Sequence, residues 1–203
     1  MRLKEEYREA ETIKKSTFIA CVAPAFTEEE ARFYIDCIRS EYADATHVCT
    51  AYILGDNGQI QRSSDNHEPS GTAGVPMLES IRNSNLKNTV ACVVRYFGGI
   101  KLGAGGLIRA YSGSVTNALQ HAPKLEQVPM NIYEVKYPYD LVGTVEHWIR
   151  TNAEILDLQY SEFVTCQFIT PLKDIGPTIQ DLSRGISEAK LIKETFKEVD
   201  VEE

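Results

Sequence analysis

Signatures of chemistry are scarce in this 203-residue chain. It has no CxxC pair, no GxSxG elbow around any serine and no glycine loop ending in GK[ST]. These absences set aside a zinc site built on paired cysteines, a hydrolase-type nucleophile and a P-loop. Apolar runs such as VACVV at 90–94 fall far short of the about 20 residues that span a bilayer. The opening stretch MRLKEEYREAETIKK has no apolar segment, so neither a secretory signal nor a membrane anchor is expected. Cys21, Cys37, Cys49, Cys92 and Cys166 are odd in number, widely spaced and mostly set among apolar neighbours. That is the pattern of small buried thiols in a reduced, cytoplasmic compartment.

One absence is local. From Ser80 to Leu125 the chain carries Arg82, Lys87, Arg95, Lys101, Arg109 and Lys124 and no acidic residue, although its formal net charge is -8. Residues 1–130 hold 14 basic and 15 acidic residues, whereas residues 131–203 hold 7 and 14. A polyanion would be repelled at long range by the second half, so contact with one is expected from the first. The acidity of the second half reads as a solvated surface. Hydrophobic residues at 43% and charged residues at 25% describe an ordinary soluble protein, long enough for two domains of roughly 100 residues.

Periodicity predicts an α+β chain. A strand or bent pair of strands covers 12–24. Thr27 with Glu28, Glu29 and Glu30 forms a capping box opening a helix to about Tyr42, with Ala31, Tyr34, Ile35 and Ile38 on one face. A strand over 46–54 turns at Gly55-Asp56-Asn57-Gly58 into Gln59–Arg62. Residues 63–74 read as a loop, followed by a short helix with Pro76 in its first turn and Met77, Leu78 and Ile81 inward. Thr89–Phe97 is the strongest strand signal, with Phe97 read as core. Leu107, Ala110, Tyr111, Val115, Ala118 and Leu119 then mark a helix. His121–Pro129, with prolines at 123 and 129, reads as the boundary between domains 1–125 and 130–203. Beyond it the expected order is strand 130–137, helix 140–151 capped by Asp140, strands 153–159 and 163–169, helix 171–183 and strand 188–197. Thr170 and Pro171 are read as Ncap and N1 of the second helix. That order is the split βαβ, ferredoxin-like arrangement.

Two loops hold the candidate functional residues. In Ser64–Gly74, Asp65, Glu68, Ser70 and Thr72 stand before a helix N-terminus. The two carboxylates could bind magnesium or act as a base, or Asp65 could hold the loop through backbone N–H groups. Glu68, extended because Pro69 follows it, is a candidate clamp on a basic partner. His47, in a strand beside Cys49, reads as a half-buried histidine.

The second loop follows Arg95 and Tyr96, with Gly98, Gly99, Gly103, Gly105 and Gly106 falling within nine positions around Lys101 and ending at Arg109. Ile108 stands where GxGxxG needs its third glycine, so no dinucleotide fingerprint is present. What remains is a strand–glycine loop–helix joint whose exposed N–H groups and cations suit an anion. Arg95, Lys101 and Arg109 can converge there, with Tyr96, Phe97 and Tyr111 able to stack on bases. An arginine emerging from an apolar strand needs a carboxylate or a ligand, and Glu68 or Asp65 is the internal candidate. No catalytic constellation, metal set or cofactor is expected.

Three stretches in order resemble the Impact family. They are Ala45-Thr46-His47 with Cys49 and Ala51-Tyr52, then Ser64-Asp65-Asn66 with Glu68 through Gly74, then Val94 through Gly99 with Lys101-Leu102-Gly103, Gly105-Gly106-Leu107 and Arg109-Ala110-Tyr111. The chain departs at His67, where the family usually carries glycine. The resemblance covers the whole chain in its bacterial two-domain form. It implies a first domain like the second-domain fold of a small-subunit ribosomal protein and domain IV of elongation factor G, and a ferredoxin-like second domain similar to domain V of that factor. It implies no established catalytic activity. Its eukaryotic relative regulates translation initiation through a protein partner, using a region this chain largely lacks. The expectation is a translation-associated binding protein that meets RNA, a ribosome-associated factor or an anionic protein surface, without a membrane. A protein-interaction adaptor and an enzyme acting on a phosphorylated small molecule through Asp65, His47 or Glu68 are the alternatives.

Overall fold

The computed structural model describes residues 1–201. Its contacts divide the chain into one compact unit over Met1–Glu126, joined by the described chain end from Asp200, and a second over Gln127–Val199.

The first unit is built on a five-stranded antiparallel sheet of β2 (Tyr7–Ile13), β3 (Ser16–Pro24), β4 (His47–Leu54), β5 (Ile60–Ser64) and β6 (Thr89–Tyr96). The spatial order is β2-β3-β6-β4-β5, so β6 lies at the centre and is buried along both faces. That accounts for its unbroken run of apolar residues. Helix α1 (Glu28–Glu41) covers one face, packing Ala31, Ile35 and Ile38 against Cys92, Val94 and their neighbours. Helices α2 (Gly74–Asn83) and α3 (Ala104–His121) cover the other, with Met77, Ile81, Tyr111 and Val115 against Phe18, Ala91 and Val93. The Thr27 half of the capping box forms, its Oγ1 accepting from Glu30 N at 3.1 Å, while a Glu30 carboxylate oxygen reaches one residue further back and accepts from Phe26 N at 2.7 Å.

Of the two readings of residues 12–24, the pair of strands is the one formed, and it starts earlier than expected. β2 begins at Tyr7, and a two-residue turn of Lys14 and Lys15, both at positive φ, joins it to β3. β2 was obscure because it is an edge strand of alternating charge, Arg8, Glu9 and Glu11 among them, with little apolar signal. Phe97 is not core: it is 46% exposed, because β6 ends at Tyr96 and the chain leaves the sheet there.

The division between the units falls at Glu126–Gln127, within the expected 121–129 stretch, and strand β7 runs through it from Lys124 to Tyr137. Its first residues pair with β1 (Arg2–Leu3), Leu125 opposite Arg2 and Lys124 opposite Leu3.

The second unit follows with a 3-10 turn (Tyr139–Leu141), a π-helical turn (Val142–Glu146), α4 (His147–Asn152), β8 (Glu154–Tyr160), β9 (Val164–Thr170), α5 (Gly176–Leu182) and β10 (Ala189–Asp200). β10 pairs with β7, β7 with β9 and β9 with β8, the last two pairs antiparallel. Tyr133, Tyr137, Ile149, Phe168 and Ile179 form its core. The helix expected over 140–151 is regular only from His147, and Asp140 caps nothing. Gly143-Thr144-Val145 has low helix propensity, and the π turn sets Glu146 inward. That buried carboxylate accepts from Tyr137 Oη at 3.1 Å and from Arg150 Nε and Nη2 at 2.9 and 2.7 Å. Thr170 and Pro171 do not open α5. Thr170 ends β9, and the helix starts at Gly176 with Pro177 in its first positions.

Candidate functional site

The strand register assembles the site. Phe18 on β3, Arg95 on β6 and His47 on β4 are direct cross-strand neighbours. Alternation puts Arg95 on the α2–α3 face, one row beyond Ala91 and Val93. A guanidinium is thus built into the end of an apolar core, and Arg95 is 5% exposed. Its Nη1 donates to Glu68 Oε1 at 2.5 Å, and the same oxygen accepts from Tyr111 Oη at 2.7 Å. Glu68 is 8% exposed. Burying this pair is tolerable because each charge meets the other and a hydroxyl adds a further bond. Phe18 and Phe97 flank the guanidinium, their ring centres 5.4 and 5.5 Å from it. Arg95 Nε is buried without a hydrogen-bond partner among the described residues.

Glu68 reaches this position because the 64–74 loop is held rigidly. Asp65 accepts from Gly71 N at 2.8 Å, Ala73 N at 3.0 Å and Gly74 N at 2.8 Å, tying the loop to the start of α2. Burial opposes ionisation of Asp65, but these three N–H donors outweigh it and hold the carboxyl below its ordinary value. Thr72 donates to Pro69 O at 2.6 Å, His47 Nδ1 donates to Asn66 O at 2.9 Å, and Cys49 Sγ donates to Asp65 O at 2.9 Å. Burial pushes the Cys49 thiol up to about 12, so it stays protonated. With Nδ1 engaged, His47 turns Nε2 toward Glu68 Oε1, 3.8 Å away.

The glycine segment closes the other side. Gly98 passes so near the β2–β3 turn that a Cβ there would lie 1.9 Å from Lys15 O, and its N–H donates to Ser16 Oγ at 3.2 Å. Gly103 sits at φ 71° as the N-cap of α3, without a side-chain cap, leaving the first-turn N–H groups of that helix open. A pocket of about 390 Å³ lies between these parts. Thr46, His47, Glu68 and Pro69 line one side, Arg95 and Phe97 the strand end, and Lys101 through Ala104 with Leu107 the other.

Of the residues singled out in the sequence, the pocket gathers His47, Glu68, Arg95, Lys101 and Gly103. Asp65 and Thr72 support it from behind, and Ser70 is exposed outside it. Gly98, Gly99, Gly105 and Gly106 shape the loop and the first turn of α3 without lining the pocket. Tyr96 points to the α1 face, where its hydroxyl donates to Asp44 at 2.9 Å. Tyr111 is fully buried and unavailable for stacking. Arg109 is exposed and lies back over Gly105, its Nη1 3.6 Å from where a Cβ would stand. Phe97, named as a possible stacking residue, does line the pocket, whereas Thr46, Leu102 and Leu107 are pocket residues that sequence reasoning did not single out as site residues. The apolar character of Leu102 and Leu107 reads as core until the end of β6 is known. Among the described residues no group of three or more His, Cys, Asp and Glu is placed to hold a metal ion.

The segment that carries this pocket is also the one that matches a known family: residues 14–119 match the Impact N-terminal domain. The chain belongs to the Impact family. This Impact-family chain is 40% identical over 200 residues to IMPACT family member YvyE of Bacillus subtilis, covering 97% of this chain and 92% of that protein. It is 35% identical over 190 residues to IMPACT family member YigZ of Escherichia coli, covering 91% and 93%. A crystal structure described as that of a hypothetical protein superposes with a TM-score of 0.60 at 33% identity, covering 95% of this chain and 96% of the other.

Proposed function

We propose that the protein is a non-catalytic binding protein of the translation apparatus that meets RNA, or a ribosome-linked anionic partner, through the pocket and the basic segment beside it. The observation that carries this reading is the joint between β6 and α3. Open first-turn N–H groups, Lys101 and Arg109 lie on the longest stretch of the chain without acidic residues. Neither Lys101 nor Arg109 is paired with a carboxylate among the described residues, so both charges are available to a phosphate backbone. Family membership favours a translation-associated role. The reading of two domains, 1–125 ribosomal-protein-domain-2-like and 130–203 ferredoxin-like, is consistent with it. The β10-β7-β9-β8 order, with one helical segment between β7 and β8 and another before β10, supports the second assignment.

The test is fluorescence anisotropy with a short single-stranded RNA and a duplex across a salt series. Replacing Lys101 and Arg109 together by alanine is expected to keep the fold, weaken binding and lower the salt slope by about 1–2. Equal binding by parent and double variant at every salt concentration would reject the reading.

A protein-adaptor reading has one observation in its favour. A groove of about 890 Å³ runs between α2 and α3, lined in part by the exposed apolar side chains of Val75 and Ile108. RNA-independent capture of a partner, lost on replacing Ile108 by aspartate, would favour it.

A further inference from the structure

We infer that the 390 Å³ pocket takes a terminal phosphorylated nucleotide, its base on Phe97 and its phosphate at the start of α3 beside Lys101. This rests on the anion-binding reading above and narrows it to one ligand chemistry, which a free nucleoside monophosphate or the phosphorylated end of a strand would both supply.

Four observations converge. α3 is 18 residues long and opens at Gly103 without a side-chain cap, so its first N–H groups and the positive end of its dipole meet the pocket. Independently, Arg95 lines the same pocket while nine-tenths buried, and its Nε has no partner. Nη1 is committed to Glu68, and Nε is enclosed beside the pocket with no partner of its own among the described residues. Phe97 covers that guanidinium with one face of its ring while remaining 46% exposed. An exposed aromatic next to an anion site is a stacking platform, worth about 1–3 kcal/mol per base. Finally, most of the remaining wall is apolar, from Pro69, Leu102 and Leu107, as a pocket for a base and sugar requires.

A terminal nucleotide fits better than the interior of a strand for two reasons. A volume of about 390 Å³ suits one small ligand rather than a run of nucleotides. A phosphomonoester also carries about 1.5–2 negative charges near neutral pH, against one for a diester. Local charge favours the doubly charged group: Glu68 offsets Arg95, leaving Lys101 and the helix end.

The experiment uses the full chain and six probes: one RNA sequence as a 5′-phosphorylated, a 3′-phosphorylated, a hydroxyl-ended and a circular strand, adenosine monophosphate alone and inorganic phosphate alone. One phosphorylated end is expected to bind about tenfold tighter than the hydroxyl-ended and circular forms. Ala104→Glu places a carboxylate in the first turn of α3, where it favours the helix but repels a phosphate, so melting temperature holds while the end preference disappears. Phe97→Ala is expected to weaken the mononucleotide while leaving inorganic phosphate binding unchanged. If all four strands bind alike, the terminal pocket is rejected and the general RNA reading survives. If no strand binds but the mononucleotide does, sensitively to Ala104→Glu, the pocket stands with a free nucleotide as its source and the RNA reading fails. If neither binds, both are rejected.

Discussion

At the scale of single residues, the pair of Glu68 and Arg95 concentrates the most free energy in the smallest space. Glu68→Ala leaves a guanidinium buried and a tyrosine hydroxyl without its acceptor, and removing one partner of a buried pair typically costs about 3–5 kcal/mol. Glu68→Gln keeps an acceptor in place and is expected to lose less. Urea unfolding followed by far-UV circular dichroism measures both, and an unchanged midpoint for Glu68→Ala would contradict the geometry. His67 is a contrasting case. It sits at φ 69°, in the left-handed region that favours glycine, next to Asn66 at φ 42°. Its side chain therefore strains the loop, and His67→Gly is expected to be neutral or to stabilise by up to about 1 kcal/mol. Gly98→Ala runs the other way. The atom it would meet is backbone, which cannot rotate aside, so the change should displace the β2–β3 turn and lower stability sharply.

At the scale of elements, the site is a meeting of one strand end with two helix starts. α2 is held at its N-terminus by Asp65 from outside the helix, through three N–H groups. The carboxylate is therefore favoured in the folded state, and its folded value lies below the ordinary 3.8. Its contribution to stability is present above the ordinary value and is lost as pH falls through the depressed one. Asp65→Asn should lower stability at neutral pH and flatten the acid limb of the stability–pH curve, which a urea series at several pH values reads directly. A variant with an unaltered acid limb would show that other carboxylates govern it. α3 has no such cap, and that difference between two neighbouring helices leaves its N–H groups open to a ligand.

At the scale of the whole molecule, the two units report through different probes. Trp148, the single tryptophan, is half-buried and packs against the core of the second unit, whereas Arg95 and Glu68 belong to the first. Glu68→Ala is therefore expected to shift the circular-dichroism transition while leaving the tryptophan-fluorescence midpoint in place. Coincident shifts would mean that the units unfold as one. The thiols offer a second check. Cys37 is exposed, while Cys21, Cys49, Cys92 and Cys166 are buried, and burial pushes Cys21 and Cys49 to about 12 and Cys166 to about 11. Native protein should expose one fast-reacting thiol of the five to a disulfide reagent, and denatured protein all five.

Local interactions were legible in the sequence because short stretches determine them. The Thr27 capping box, the turn after β4, the apolar run of β6 and the glycine joint all rest on neighbours a few residues apart. Family membership was legible for a similar reason, since three ordered stretches carry it. The demand of Arg95 for a carboxylate followed from the cost of burying charge, which is why Glu68 and Asp65 could both be named. Choosing between them required the tertiary structure. Asp65 is consumed by the backbone of α2, and only Glu68 crosses the 27 positions to Arg95 and the 43 to Tyr111. The same holds for Phe97, whose alternation matches a core residue until the sheet ends beneath it, and for the strand from Lys124 through the two prolines' neighbourhood, where pairing with β1 overrides the local turn signal. Sequence specified which residues carry charge, bulk and backbone freedom. Long-range packing alone decided which of them face a common space, because that depends on strand register and on where each element stops.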